Sequence, residues 1–158
     1  MERKLSQRLA EIVDALPVKE DSRILEIGCG PGAMARELSR RIKNGHVLAI
    51  DRSANVIQQA IAASKEELQR GHLSFRQVAI EEFELEVGEK RFDIAVAVRV
   101  GALDGRHPGI EELALEKITQ ALTPEGRLFI DGGNPLKEIP LHPTGDKVPP
   151  QQYPTLAN

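Results

Sequence analysis

Arg23-Ile24-Leu25-Glu26-Ile27-Gly28-Cys29-Gly30-Pro31-Gly32 is a short apolar run that gives way to three glycines at alternate positions. The apolar half reads as a strand and the glycines as a sharp turn. Met34, Leu38 and Ile42 then recur every four residues, the buried stripe of a following helix. Glycine at 28, 30 and 32 lets the backbone turn tightly and lets a ligand come closer than a Cβ would permit. Strand, glycine turn and helix, in that order, open a parallel α/β unit.

The alternation continues on both sides. Upstream, Leu5, Leu9, Ile12, Val13 and Leu16 have the spacing of one helical face, and Pro17 closes a leading amphipathic helix within residues 1–20. Downstream, Asn44-Gly45 reads as a helix stop, and His46 to Ile50 as a second strand ending at Asp51. Ser53 caps a helix running to about Arg70, and Leu73 to Val78 makes a third strand. After the charged connection Glu81 to Arg91, Phe92-Asp93-Ile94-Ala95-Val96-Ala97-Val98 is the near-continuous apolar pattern of a central strand buried on both faces. Arg99 to Gly109 reads as a loop and Ile110 to Leu122 as a helix. The turn Thr123-Pro124-Glu125-Gly126 leads into a fifth strand ending at Ile130. The expected fold class is α/β, a doubly wound, mostly parallel sheet of about five strands with helices on both faces, built by residues 21–132. Residues 133–158 hold six of the ten prolines and neither periodicity, and they read as an irregular proline-rich C-terminal tail. Partial docking of that tail is expected, because a bare fifth strand would expose unpaired backbone groups.

Composition narrows the class of function. The 158 residues carry 21 Lys+Arg against 24 Asp+Glu, a net charge of −3, with 41% hydrophobic and 3% aromatic residues, ordinary for one soluble domain. One cysteine excludes an internal disulfide, and the negative balance with few aromatics disfavours nucleic acid as a partner. The longest uninterrupted apolar run, Ile94 to Val98, is far short of the roughly 20 residues that span a bilayer. No signal-peptide core is visible, so a cytoplasmic protein without a membrane role is expected. His46 and His72 begin strands at the sheet's far end and His142 lies in the tail, so no metal cluster is expected. Cys29 fits the glycine turn as a small side chain rather than as a catalytic thiol.

The glycines alone leave the cofactor open, since Gly28-x-Gly30-x-x-Ala33 also satisfies the dinucleotide pattern. Asp51, at the end of the second strand, is placed to accept hydrogen bonds from the hydroxyls of a ribose, and so points to a nucleoside without saying which.

Taken together, Ile24 to Gly32 resembles the first motif of class I S-adenosylmethionine-dependent methyltransferases, and Val47-Leu48-Ala49-Ile50-Asp51 resembles their acidic second-strand motif. Phe92 to Val96 and Leu122 to Leu128 are similar to the fourth strand and to the turn and fifth strand of the same family, so the resemblance runs from about 22 to 131. It implies S-adenosyl-L-methionine as cofactor, S-adenosyl-L-homocysteine as product, and a cofactor-binding set of Glu26, Gly28, Cys29, Gly30, Gly32, Asp51, Arg52, Ile80, Glu81 and Arg99. Within that set Glu26 would hold the cofactor's amino group, Asp51 the ribose, and Arg52 would lie beside the adenine. Two departures stand out. The family's adenine-binding Asp after the third strand is replaced by Val78-Ala79-Ile80, leaving Glu81 or Glu82 to substitute. Its two further C-terminal strands are not evident, so either the sheet is minimal or a second copy (a homodimer) or a partner chain covers its edge. No Asn-Pro-Pro-aromatic element, the family's signature for nucleobase amines, follows the fourth strand.

The resemblance implies methyl transfer to an O, N or C nucleophile of a small-molecule acceptor, with a non-catalytic cofactor-binding or scaffold subunit as the alternative. On the acceptor side, His107 is the candidate base, Asp104 and Arg106 could orient a polar acceptor, and Asp131 with Asn134 flanks a double-glycine turn at the rim. His107, Asp104 and Asp131 form the expected catalytic set.

Overall fold

A computed structural model describes residues 5–103, 105 and 107–141. β1 (Arg23–Ile27), β2 (His46–Asp51), β3 (Leu73–Gln77), β4 (Phe92–Ala97), β5 (Leu122–Asp131) and β6 (Leu136–Ile139) form one sheet in the order β3-β2-β1-β4-β5-β6. The first five run parallel and β6 runs antiparallel to β5. Helices α1 (Gln7–Ala15), α2 (Ala33–Arg40), α3 (Ala54–Ala63), α4 (Lys65–Gln69) and α5 (Pro108–Ala121) cover the two faces. This is the doubly wound α/β architecture that the alternation of patterns implies, with one strand more than the five expected.

Side chains alternate across a strand, and the two cores follow that parity. Ile24, Val47, Ala49, Ile94 and Val96 pack with Ile12 and Val13 of α1, Met34 and Leu38 of α2 and Ile57 of α3. Leu25, Ile27, Leu48, Ile50, Ala95 and Ala97 point the other way, onto Ala114 and Ile118 of α5 and onto Ile80 and Phe83. Strands buried on both faces need apolar residues at nearly every position, and β1 and β4 have them. The same parity sends Glu26, two residues after Ile24, into the α1–α2 side. Ser6 and Ser53 cap α1 and α3 by accepting from the N–H groups of Leu9 and Val56.

Three departures from the sequence reading have physical causes. The helix expected from Ser53 to Arg70 breaks at Ser64, which is fully buried with φ −120° and takes a hydrogen bond from Arg36 Nη1 at 3.1 Å. Its N–H bonds back only three residues, to Ile61 O, and its own carbonyl accepts the N–H of Leu68 to begin α4. The turn expected at residues 123–126 is a bulge inside β5. Pairing passes from Phe92 with Leu122 directly to Ile94 with Arg127, so two steps on β4 face five on β5.

The third departure is β6, inside the segment read as an irregular tail. Leu136-Lys137-Glu138-Ile139 lacks a period of two, yet it pairs along β5 from Asp131 with Leu136 to Leu128 with Ile139. Arg127 grips Glu138 through two hydrogen bonds, at 3.2 and 2.7 Å. Leu136 packs against one core and Ile139 against the other, so backbone pairing, one ion pair and an apolar contact on each face hold the strand. It covers the β5 edge from within the same chain, as partial docking of the tail would, and among the described residues the outer edge of the sheet is that of β6.

Gly45 shows why a correct residue can carry a wrong reason. It lacks the left-handed backbone of a helix stop; it is required instead because a Cβ there would lie 1.9 Å from the backbone oxygen of Ser22. That oxygen accepts the N–H of His46, so it cannot move without loosening the start of β2. Gly45→Ala is therefore expected to cost roughly 2–3 kcal/mol, as overpacking against backbone does. Urea unfolding would read this as a lower midpoint at unchanged slope.

Candidate functional site

The strand order reverses between β1 and β4, and ligands of such sheets bind in the crevice beyond the strand ends at that point. Two cavities occupy it. One, of about 290 Å³, lies between Glu26, the glycine turn, Met34, Val98 and Arg99 on the sheet side and Ser6, Arg8 and Leu9 at the start of α1. The other, of about 400 Å³, is bounded by Asp51, Arg52, residues 78–81, residues 100–102, His107 and Ile110. They meet at Gly28 and Arg99, which border both.

The glycine turn is shaped around this junction. Gly28 has φ +69°, and a Cβ there would sit 2.8 Å from Val100 Cγ2. Gly30 has φ +55°, but nothing lies within 4 Å of where its Cβ would be. Its missing side chain therefore leaves room that the protein itself does not fill. The N–H of Gly30 donates to Asp51 Oδ2 at 3.1 Å, and Oδ1 of the same carboxylate accepts the N–H of Ser53 at 2.9 Å. Asp51 thus ties the turn to the end of β2, and a carboxylate, with about four acceptor sites, has two left for a ligand.

Glu26 is the unusual group. It is 4% exposed, its Oε1 is buried without a hydrogen-bond partner, and it borders the smaller cavity. Burial raises its pKa to about 8, with Asp51 also raising it and the nearby Arg36 opposing the rise. An orphaned carboxyl oxygen facing a cavity is a site for a cationic donor. The same burial, with Glu26 and Asp51 close by, pushes the Cys29 thiol up, so Cys29 is a lining residue and not a nucleophile. Gly32 serves the turn's packing: a Cβ there would lie 3.1 Å from the Phe75 ring.

At the other end, Ala79, Ile80 and Glu81 line the larger cavity where the family's Asp is missing; Ile80 is buried and opens a 3-10 turn, Ile80–Glu82. Glu81 accepts from Arg52 Nη2 at 3.4 Å, while Glu82 does not line the cavity.

On the acceptor side the expected residues separate. His107 borders the larger cavity as the exposed cap of α5. Asp131 has both oxygens engaged, Oδ2 with Arg8 Nη2 at 2.6 Å and Oδ1 with the N–H of Arg99 at 3.0 Å. Asn134 lines neither cavity, and Gly132-Gly133 turns the chain from β5 into β6. Asp104 and Arg106 lie outside the described residues. Sequence reasoning missed Ser6 and Arg8. Arg8 falls between apolar positions of α1 and reads as solvent-facing until the fold brings Asp131 to it. Arg99 has φ +56°, a conformation that costs a side-chain-bearing residue roughly 1–2 kcal/mol and is common at functional sites. Among the described residues no group of three His, Cys, Asp or Glu could hold a metal, and no helix is long and apolar enough to cross a membrane.

Comparison with known proteins agrees with this geometry. The Bacillus subtilis (strain 168) protein YrhH is 29% identical over 62 residues, which are 39% of this chain and 34% of that protein. Among solved structures, coclaurine N-methyltransferase bound to N-methylheliamine and SAH superposes with a TM-score of 0.63 at 20% identity, over 77% of this chain and 34% of that one. The [4+2]-cyclase SpnF gives 0.64 at 22% identity, over 78% and 43%. The chain spans less than half the length of each of these proteins. The family described as a methyltransferase domain matches residues 18–150, and the chain belongs to it, among the class I S-adenosylmethionine-dependent methyltransferases.

Proposed function

We propose that this chain transfers the methyl group of S-adenosylmethionine to an O, N or C nucleophile of a small molecule. The observation that carries the reading is the buried, unpartnered Glu26 oxygen beside the open space at Gly30, with the Asp51 carboxylate held by the Gly30 N–H on the wall of the adjoining cavity. An ammonium, a slender chain and a ribose match these features in that order.

Glu26 would accept from the amino group of the cofactor, and Asp51 from the ribose hydroxyls with its two remaining acceptor sites. Ile80 would pack on the base, with Arg52 and Glu81 at its edge. The cofactor supplies a methyl group on a sulfonium, already activated for departure. What remains for the protein is orientation and the exclusion of water. Ser6, Arg8 and Leu9 wall the smaller cavity, and Asp131 holds Arg8 there. His107, at the rim of the larger cavity, would take the proton of an acceptor that arrives protonated. A small acceptor is favoured by the net charge of −3, which gives little attraction to a polyanion.

Thermal unfolding with S-adenosylmethionine, S-adenosylhomocysteine or NAD tests the reading. A ligand at a hundred times its dissociation constant stabilises by roughly 2.7 kcal/mol, so a rise with both adenosyl compounds and none with NAD is expected. A rise with NAD alone, or with none, would overturn it. Cofactor binding without turnover on any acceptor would point to the non-catalytic alternative.

Asp51→Ala should weaken S-adenosylhomocysteine binding by about tenfold or more, the loss expected for hydrogen bonds to a charged group. Calorimetry would measure it.

Glu26 makes a pH-dependent prediction. The folded carboxyl keeps its proton up to about pH 8, whereas the unfolded one releases it near 4.5. Its contribution to stability is therefore full below about 4.5 and is lost as pH rises through 8. Glu26→Gln should match the wild type at low pH and melt progressively higher than it toward pH 8. Meeting an ammonium favours the carboxylate, so binding S-adenosylhomocysteine at pH 7 should release a proton from wild type and none from Glu26→Gln. Calorimetry in buffers of different ionisation enthalpy separates the two.

A further inference from the structure

The basic side chains around the crevice are not equivalent. Arg8 is held by Asp131 at 2.6 Å and Arg52 by Glu81 at 3.4 Å. Asp51 is occupied by the N–H groups of Gly30 and Ser53. The second oxygen of Asp131 accepts the backbone N–H of Arg99 rather than its side chain. Among the described residues, the guanidinium of Arg99 makes no hydrogen bond and no ion pair, although Arg99 borders both cavities where they meet. The fold thus fixes the main chain of Arg99 in a costly left-handed conformation and leaves its charged head exposed at the crevice. A residue kept in such a conformation is over-determined by its surroundings and points to a function for its side chain.

We propose that Arg99 is the anion-binding residue for the acceptor, which carries a carboxylate or phosphate group. The inference rests on reading the crevice as a methyl-donor site, and it names the class of molecule that enters beside the donor. A guanidinium presents a planar fork of donors that matches carboxylate and phosphate oxygens two at a time. Arg99 borders both cavities, so its charge, unpaired among the described residues, would oppose a cationic methyl donor bound there, and an anionic group seated on it would offset that repulsion. Ile110 and Ala102, on the wall of the larger cavity, leave an apolar surface for the carbon skeleton of such an acceptor. In the transfer, the lone pair of the nucleophile forms the bond to the methyl carbon while the carbon–sulfur bond breaks with its pair going to sulfur. The proton of a hydroxyl or amine nucleophile passes to His107 or to water. Asp131 is then a positioning residue, acting through the backbone of Arg99.

The test uses the full chain with methyl-labelled S-adenosylmethionine and acceptors in matched pairs. Short hydroxy- and amino-carboxylates are set against their primary amides, and phosphate monoesters of small amino alcohols against the unphosphorylated alcohols. Label is expected in anionic members only, and the carboxylate and phosphate arms tell which group is used. Arg99→Gly removes the guanidinium and relieves the positive φ, so it should melt no lower than the wild type. It should nevertheless raise KM for the anionic acceptor at least tenfold with a smaller change in kcat. Arg99→Lys, which keeps the charge but not the fork, should recover part of that loss. Equal labelling of neutral partners, a KM within twofold of wild type in Arg99→Gly, or no labelled member with a protein that binds S-adenosylhomocysteine would each overturn the proposal. Failure of wild type to bind S-adenosylhomocysteine would instead overturn the reading on which it rests.

Discussion

Parallel pairing of β1 with β2 on one side and β4 on the other is the constraint from which the site follows. A parallel neighbour is reached only by a crossover, and the crossovers that leave β1 and β4 lie on opposite faces of the sheet. The backbone parts between the ends of the two strands, and the crevice is that parting. The glycine turn is its lower lip and Arg99 its upper one. Residues far apart in the chain, from Ser6 to Asp131, reach the crevice because their elements end there or are packed over those that do.

Within that frame, the groups that best define the site weaken the fold. Glu26 occupies a position that parity assigns to the interior, where a leucine or isoleucine would bury without a desolvation cost. Arg99 holds a backbone conformation that glycine would adopt freely. Asp51 differs, since it stabilises the turn through Gly30 and Ser53 while keeping acceptor capacity in reserve. The pattern is the common one in which a ligand-facing crevice carries local strain that the rest of the core offsets.

The fold was legible wherever burial alone dictates sequence. β1 and β4 are apolar at nearly every position because both faces are covered, and the three glycines announce a turn that no other residue could make so tightly. Glu26 and Asp51 were legible for a related reason, as acids at the ends of strands that otherwise tolerate none. What escaped the sequence is held by partners distant along the chain. β6 is recruited by the edge of β5 and by Arg127, and a four-residue strand with apolar ends carries no period of its own. The break at Ser64 coincides with a contact from Arg36 on another helix, and the tie between Arg8 and Asp131 spans most of the described chain. Gly45 was noticed for the wrong cause, because the approach of the Ser22 backbone leaves no mark on the local sequence.

The bulge in β5 has a practical consequence. Pro124 and Glu125 are exposed on it, beside Leu122 and Phe92, at the end of the sheet opposite the crevice. Exposed loops of this sort are where domain insertion and circular permutation are best tolerated. A reporter domain or immobilisation tag introduced between these two residues would thus be carried on a strand that ends in Asp131, coupling a surface handle to the crevice end without occupying it.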